Sequence, residues 1–392
     1  RLHSGPPRRA PARSAAMDAP IPPLRLLFAG IDARLADALA ASLGARASLH
    51  RAAGAAEALA ALRESPFDAA IVQPRLAEGS GNALLGLLKR DQPRVIRCLL
   101  LDDGRDAPGL AALENVHRLL EPPLDADALL AGLGAVLALR ERLEGPRLAE
   151  AIGRVGRLPP PPALSLDLMR RTEDPDVSAR EVAALVEGDP ALAAKVLRLC
   201  NSAMYSGGRR IDDIHTAVVW LGNLTLRRLV LAGEVFGGLR GRDADPAHEA
   251  LRERSLQASK LAARLLPGPR ADRAATAALL AGVGRLLPDV RLPWTPPGDG
   301  DERPTYAEAG AYLLALWGLP QGLVEACALH PAPGLAGESG LGVVGACHVA
   351  WALVGDVPLD EAWLSRQGLD AARPGWDALA AELAVETAGA AD

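Results

Sequence analysis

Apolar residues in the first third of the chain come in two alternating patterns. Short unbroken runs at Leu24–Ala29, Ala47–His50, Phe67–Val72, Val95–Leu101 and Val116–Leu120 read as strands, most of them buried on both faces. Between them, leucines at helical spacing (Leu35, Leu39 and Leu43) predict a helix over Ala33–Leu43. Further helices are predicted at Ala55–Leu62, around Leu84–Leu88 and, as a short piece, near Gly109–Glu114. Asp125 is placed to cap a last helix through Leu129, Leu133 and Leu137. Strands alternating with helices require crossover connections and therefore a parallel sheet covered on both faces. Five such units give an α/β domain of flavodoxin-like layout over residues 24–140.

The pattern changes after Gly145-Pro146. A linker is expected over 141–157, and Leu158 followed by four prolines is a stiff punctuation mark. From there to about residue 355 helical spacing dominates and no run reads as a strand. Ser178-x-x-Glu181 is a capping box. Asp189-Pro190 places an N-cap before a proline at the first helical position, and Asp212 or Asp213 can cap the helix holding Ala217, Val218 and Leu221. Long loops are expected at Gly237–Pro246 and Pro293–Pro304. Residues 356–392 read as a tail with a weak helix near Trp376–Val385. Residues 1–23, rich in Arg, Pro, Ala and Ser at the start, read as a disordered leader without a secretory apolar region.

Composition narrows the function classes. The 392 residues suit two or three cores, and 49% are apolar, but only 3% are aromatic, so Leu, Ala and Val fill the interior. The net charge of -5 and the lack of a sustained basic stripe disfavour nucleic acid as a partner. No apolar run reaches the ~20 residues of a membrane span, so a cytoplasmic location is expected. Cys98, Cys200, Cys327 and Cys347 are far apart and read as buried small hydrophobes.

Two resemblances carry the functional expectation. Leu26–Asp32, Phe67–Leu76 with Gly81, and Val116–Pro123 resemble the first, third and fifth strands of a response-regulator receiver domain. Receiver chemistry uses an aspartate nucleophile, two magnesium-binding acids, a hydroxyl and a lysine. The resemblance places the acidic pair on Gly30 and Ile31, the phosphoacceptor on Gln73, the hydroxyl near Leu101 and the lysine on Pro122, with Asp32 left as a single acid. A carboxamide is a poor nucleophile and Gly-Ile cannot hold a hard cation, so a pseudo-receiver without phosphoacceptor is expected.

The second resemblance begins at Leu158-Pro159 and runs through Asp174–Ser178, Glu187–Ala203 and Ile211-x-x-Ile214-x-x-Ala217-Val218-x-x-Leu221-Gly222. This ordered set resembles the HDOD domain, an all-α output module related to HD phosphohydrolases, over residues 158–355. The resemblance puts the His-Asp pair of the enzymes on Ala281-Gly282, an upstream histidine on Arg254 and a downstream one near Tyr306. His330 and His348 read as structural histidines, and thiol catalysis by Cys327 or Cys347 has no supporting third group. No metal, cofactor or catalytic residue is expected, and the chain reads as a non-enzymatic signalling adaptor. Signalling proteins, a homodimer partner or a small nucleotide are the ligands considered. Asn201, Ser202, Arg209 and Arg210 are the candidate contact residues, weighed against a plain helix-ending role for Asn201-Ser202. A residual metal-dependent phosphohydrolase and a cyclic-nucleotide sensor are the alternatives.

Overall fold

The computed structural model describes residues 23–101, 115–120, 122–142, 146–155, 171, 177–201, 210–231, 246–295 and 303–389. The expected leader up to residue 22, the short helix at 109–114, the Leu158–Pro162 run, Ser202, Arg209, the loop at 237–245 and residues 296–302 lie outside them.

Strands β1 (Leu24–Ala29), β2 (Ala47–Ala52), β3 (Ala69–Val72), β4 (Ile96–Leu100) and β5 (Arg118–Leu120) form one parallel sheet in the order β2-β1-β3-β4-β5. Helices α1 (Ala33–Leu43), α2 (Ala55–Glu64), α3 (Gly81–Asp91) and α4 (Ala126–Arg142) accompany it. The apolar runs sit where both sheet faces are covered, and every residue of β3 and β4 is buried. The weaker run at 47–50 becomes the edge strand β2, which alternates exposed and half-buried positions for most of its length. This is the flavodoxin-like layout expected from the pattern.

Helix α5 (Pro146–Gly153) lies inside the segment expected to be a linker. Its Ala149 and Ile152 are buried, and Gly153 lies so close to Pro93 that a Cβ there would fall 2.1 Å from the Pro93 carbonyl oxygen. The glycine permits a docking that any larger residue blocks. Its eight residues follow directly on Gly145-Pro146, the pair that reads as an interruption of the chain.

The remainder is helical. Helices α6 (Ala179–Glu187), α7 (Pro190–Cys200), α8 (Ile214–Leu231), α9 (Pro246–Leu265) and α10 (Pro269–Ala281) lead to a 3₁₀ turn at Val283–Leu286. Helices α11 (Tyr306–Leu316), α12 (Gln321–Leu329), α13 (Val343–Leu353), α14 (Glu361–Gln367) and α15 (Arg373–Gly389) follow. The capping box of Ser178 and Glu181 is present, Asp189 caps α7, and Asp213 rather than Asp212 caps α8. Asp212 pairs with Arg273 instead. The segment expected to be a tail is packed structure. Trp363 and Leu364 of α14 are buried with Val349, and Leu383 of α15 joins the core of α9, α10 and α13.

The two regions share an apolar core. Leu26, Ile71 and Cys98 of the sheet continue through Leu133 and Val136 of α4 to Tyr312, Leu313 and Leu316 of α11. Arginines pin this junction. Arg97 is 1% exposed, and its guanidinium donates to the carbonyls of Asn115 (2.7 Å), Pro93 (3.3 Å) and Gly153 (2.6 Å). Burial pulls its pKa down to about 10. Arg118 of β5 donates to the Ala315 carbonyl at 2.7 Å. Arg198 of α7 donates to the Val116 carbonyl and lies 4.7 Å over the Trp317 ring.

Substituting Gly153 by Val should undock α5 and remove the Arg97 bond to its carbonyl. The expected loss is on the order of 3 kcal/mol, as for overpacking combined with a lost buried hydrogen bond. Urea unfolding of the two proteins measures it.

Candidate functional site

At the receiver-like acidic position the backbone itself disfavours a side chain. Gly30 has a φ of 74°, and a Cβ there would sit 2.6 Å from Leu76 Cδ2 and 3.2 Å from the Arg75 carbonyl oxygen. An acid at this position would be strained and would displace Leu76. Asp32, the remaining acid, accepts from the amides of Arg34 (2.9 Å) and Leu35 (3.4 Å) as the N-cap of α1. Gln73 is half-buried at the end of β3, and Leu101 is buried with its amide on the Leu120 carbonyl. These residues do not fit a magnesium ion or a phosphoryl group.

The HD-like positions do converge, on a different chemistry. The 3₁₀ turn after α10 crosses the start of α11 at backbone contact, since a Cβ on Gly284 would fall 1.9 Å from the Tyr306 carbonyl oxygen. The crossing sets the Arg285 guanidinium over the Tyr306 ring, 4.3 Å from its centroid, and 5.7 Å from the centroid of Trp351. Thr305 and Glu308 form the capping box that starts α11. Arg285 grips the Asp356 carboxylate with both terminal nitrogens, one at 3.0 Å. Arg254 of α9 reaches the same carboxylate at 2.8 Å. Asp356 is 5% exposed, Arg285 17% and Arg254 46%.

The histidines beneath are neutral by geometry and by burial. The Cys327 carbonyl can only accept, so His330 Nδ1 carries the proton (2.9 Å), and Nε2 accepts from the Tyr306 hydroxyl at 2.8 Å. Burial pulls the His330 pKa down to about 3. His348 repeats the arrangement. Its Nδ1 donates to the His330 carbonyl at 2.7 Å, and Nε2 accepts from the Asp360 amide at 3.0 Å. Its pKa is also lowered, mainly by burial. Burial pushes the Cys327 thiol up to about 12, so this sulfur is a packing group facing the carbonyls of Leu280, Ala281 and Ala307.

A catalytic dication does not fit this donor set. The one carboxylate is held by two guanidiniums, and both nitrogens of His330 are engaged. Among the described residues no group of three His, Cys, Asp or Glu side chains could hold a metal. The space is also filled. A Cβ on Gly282 would meet Trp351 Cη2 at 2.6 Å and Leu251 Cδ1 at 2.8 Å. Trp351 is locked there by its Nε1 bond to the Ala278 carbonyl at 2.8 Å.

Asn201 has a structural task. Its amide nitrogen donates to the carbonyls of Leu197 (2.9 Å) and Ile211 (2.7 Å), and its oxygen accepts from the Ile211 amide at 2.9 Å. These bonds tie Asn201 to the end of its own helix and to Ile211, and they occupy both of its amide protons. Arg210 is exposed beside these bonds. Sequence reasoning noticed Arg254 and Tyr306 as replaced histidines. It missed that they, with Arg285, rebuild a polar site around Asp356, which sits at the border of the expected tail and carries no motif.

Because His330 is neutral in the fold and titrates near 6.5 when unfolded, its contribution is complete above pH 6.5 and is lost as the pH falls towards about 3. In that window the unfolding free energy should drop by up to about 1.4 kcal/mol per pH unit from this residue alone. A His330→Gln variant should show a flatter profile in urea unfolding across the same range. Asp356→Ala, which strands two guanidiniums, should cost on the order of 3 kcal/mol. Arg254→Ala, at the solvent edge, should cost under about 1 kcal/mol.

Residues 158–295 match the HDOD domain. A Treponema pallidum (strain Nichols) protein described as uncharacterized is 26% identical over 239 residues, which cover 55% of this chain and 45% of that protein. The solved MmoQ response regulator of Methylococcus capsulatus str. Bath is 25% identical, covering 54% of this chain and 94% of that one, with a TM-score of 0.40. An HDOD domain protein of Geobacter sulfurreducens is 21% identical, covering 63% and 97%, with a TM-score of 0.27. The chain thus carries an HDOD domain at residues 158–295, behind a five-stranded parallel domain of receiver-like strand order.

Proposed function

We propose that this protein is a non-enzymatic signal-transduction adaptor whose receiver-like and HDOD domains act through their surfaces. One observation supports this most. Both positions where phosphate chemistry is expected are filled by the chain's own groups, Leu76 over Gly30 and Trp351 against Gly282. A site that had lost only its reactive residues would leave room for a single substitution to restore it. A side chain at Gly282 would meet the Trp351 ring, and one at Gly30 would sit at a φ of 74° against Leu76, which supports a reading without chemistry at either place. No helix among the described residues is long and apolar enough to cross a membrane. Signalling proteins and a second copy of the chain are the partners this function calls for.

Incubation of the full chain with acetyl phosphate and Mg²⁺ should leave its intact mass unchanged, and Mn²⁺ with cyclic dinucleotides should give no hydrolysis product. A hydroxylamine-labile phosphoryl adduct, or turnover that scales with enzyme concentration, would refute the proposal.

A further inference from the structure

His117, one residue before β5, is 3% exposed where the two domains meet. Its ring stands against two donors of a single residue. The Arg97 amide points at Nδ1 (3.1 Å) and Arg97 Nη2 at Nε2 (2.7 Å), while the Gly153 carbonyl oxygen of α5 is 3.3 Å from Nε2. A neutral imidazole has one bare nitrogen, and on either tautomer that nitrogen faces an Arg97 N–H. A second ring proton would therefore meet a donor where it needs an acceptor. The charges around the ring share one sign. Arg97 of β4, Arg198 of α7 and Arg118 of β5 act on it, while α5 offers the Gly153 carbonyl and keeps its Glu150–Arg154 pair at the surface. Cys98 and Tyr312, which bear on Arg97, are neutral, since burial raises the pKa of each. Burial first, and these guanidiniums after it, hold the His117 pKa well below 6.5.

The groups that exclude this proton are the ones that hold the domains together. Arg97 and His117 both face the Gly153 carbonyl that docks α5, and Arg198 reaches from α7 to the Val116 carbonyl next to His117. A proton on His117 can be solvated only where these contacts part. We propose that His117 is an acid-sensitive latch, whose protonation releases α5 and the α7 contact from β4 and β5 while α9 and α10 stay folded. Helices α9 and α10 contribute to an apolar cluster of their own, separate from the one that crosses the junction. The latch is closed above pH 6.5, the ordinary value for a histidine, and the open population grows by up to about tenfold per pH unit below it, because the open state binds a proton that the closed state refuses. Opening bares the faces that the two domains bury against each other. The inference goes beyond the adaptor function and does not depend on it.

Amide hydrogen exchange of the full chain, followed from about pH 7.5 to about pH 4.5 and expressed as protection factors, reads opening segment by segment. Protection in residues 116–120 and 146–155 should fall by up to about tenfold per pH unit across the acid half of this range, while α9 and α10 change less. His117→Gln should abolish that slope, because its amide stays neutral and can both accept from Arg97 and donate to Gly153. His330→Gln, a buried neutral histidine of the helical domain, should leave the junction's slope in place. The slope is read and not the level, so a uniformly destabilised variant still decides. If His117→Gln fails to fold, the wild-type comparison of the junction with α9 and α10 decides alone. A slope that survives His117→Gln, a junction that keeps its protection throughout, or α9 and α10 opening in step with it would overturn the latch.

Discussion

A guanidinium taken out of water has to be given acceptors, and that requirement organises this molecule. At the junction of the two domains the acceptors are backbone carbonyls: Asn115, Pro93 and Gly153 for Arg97, Ala315 for Arg118, Val116 for Arg198. Such oxygens are fixed by the secondary structure that carries them, so each bond specifies where a strand end, a helix end or a loop must lie. The 2.6 Å bond from Arg97 to Gly153 is why the chain between the domains is a docked helix. In the HDOD domain the acceptor is a carboxylate, and one buried aspartate organises two arginines from different elements around it.

The same requirement explains how a site changes character without becoming a void. Where the resemblance implies histidines and an aspartate, arginine and tyrosine stand, and glycine takes the place of the acid. Removing an acid from a buried site leaves polar neighbours unsatisfied unless something replaces it. Here Trp351 fills the volume beside Gly282, and Arg285 meets Asp356 from the far side of the 3₁₀ turn. His330 is held as a neutral donor and acceptor between Cys327 and Tyr306.

The sheet was readable from the sequence because its strands are continuous apolar runs, and β1 and α1 fall on the expected residues. Caps were equally legible, since Ser178, Asp189 and Asp125 act through local bonds that a motif encodes. What could not be read depends on distant partners. Arg97 lies in a strand and looks like a solvent-facing charge until Gly153 is brought to it across the fold. Trp363 becomes core only against Val349 of α13, and Leu383 only in the groove of α9, α10 and α13. Asn201 was ambiguous for a similar reason: its bonds to Ile211 join residues ten apart in the chain, which no local motif encodes. Asp356 had no signal because a lone acid after a glycine is ordinary in sequence.

Receiver and output domains are commonly thought of as beads that evolution can restring. The continuity of Leu26, Ile71, Leu133 and Tyr312 in one apolar interior argues against that freedom here. A foreign output domain would have to reproduce the carbonyls and small residues that meet Arg97 and Arg118, among them Gly318, as well as the apolar face of α11. A change in either half that moves these carbonyls or apolar faces is therefore felt by the other.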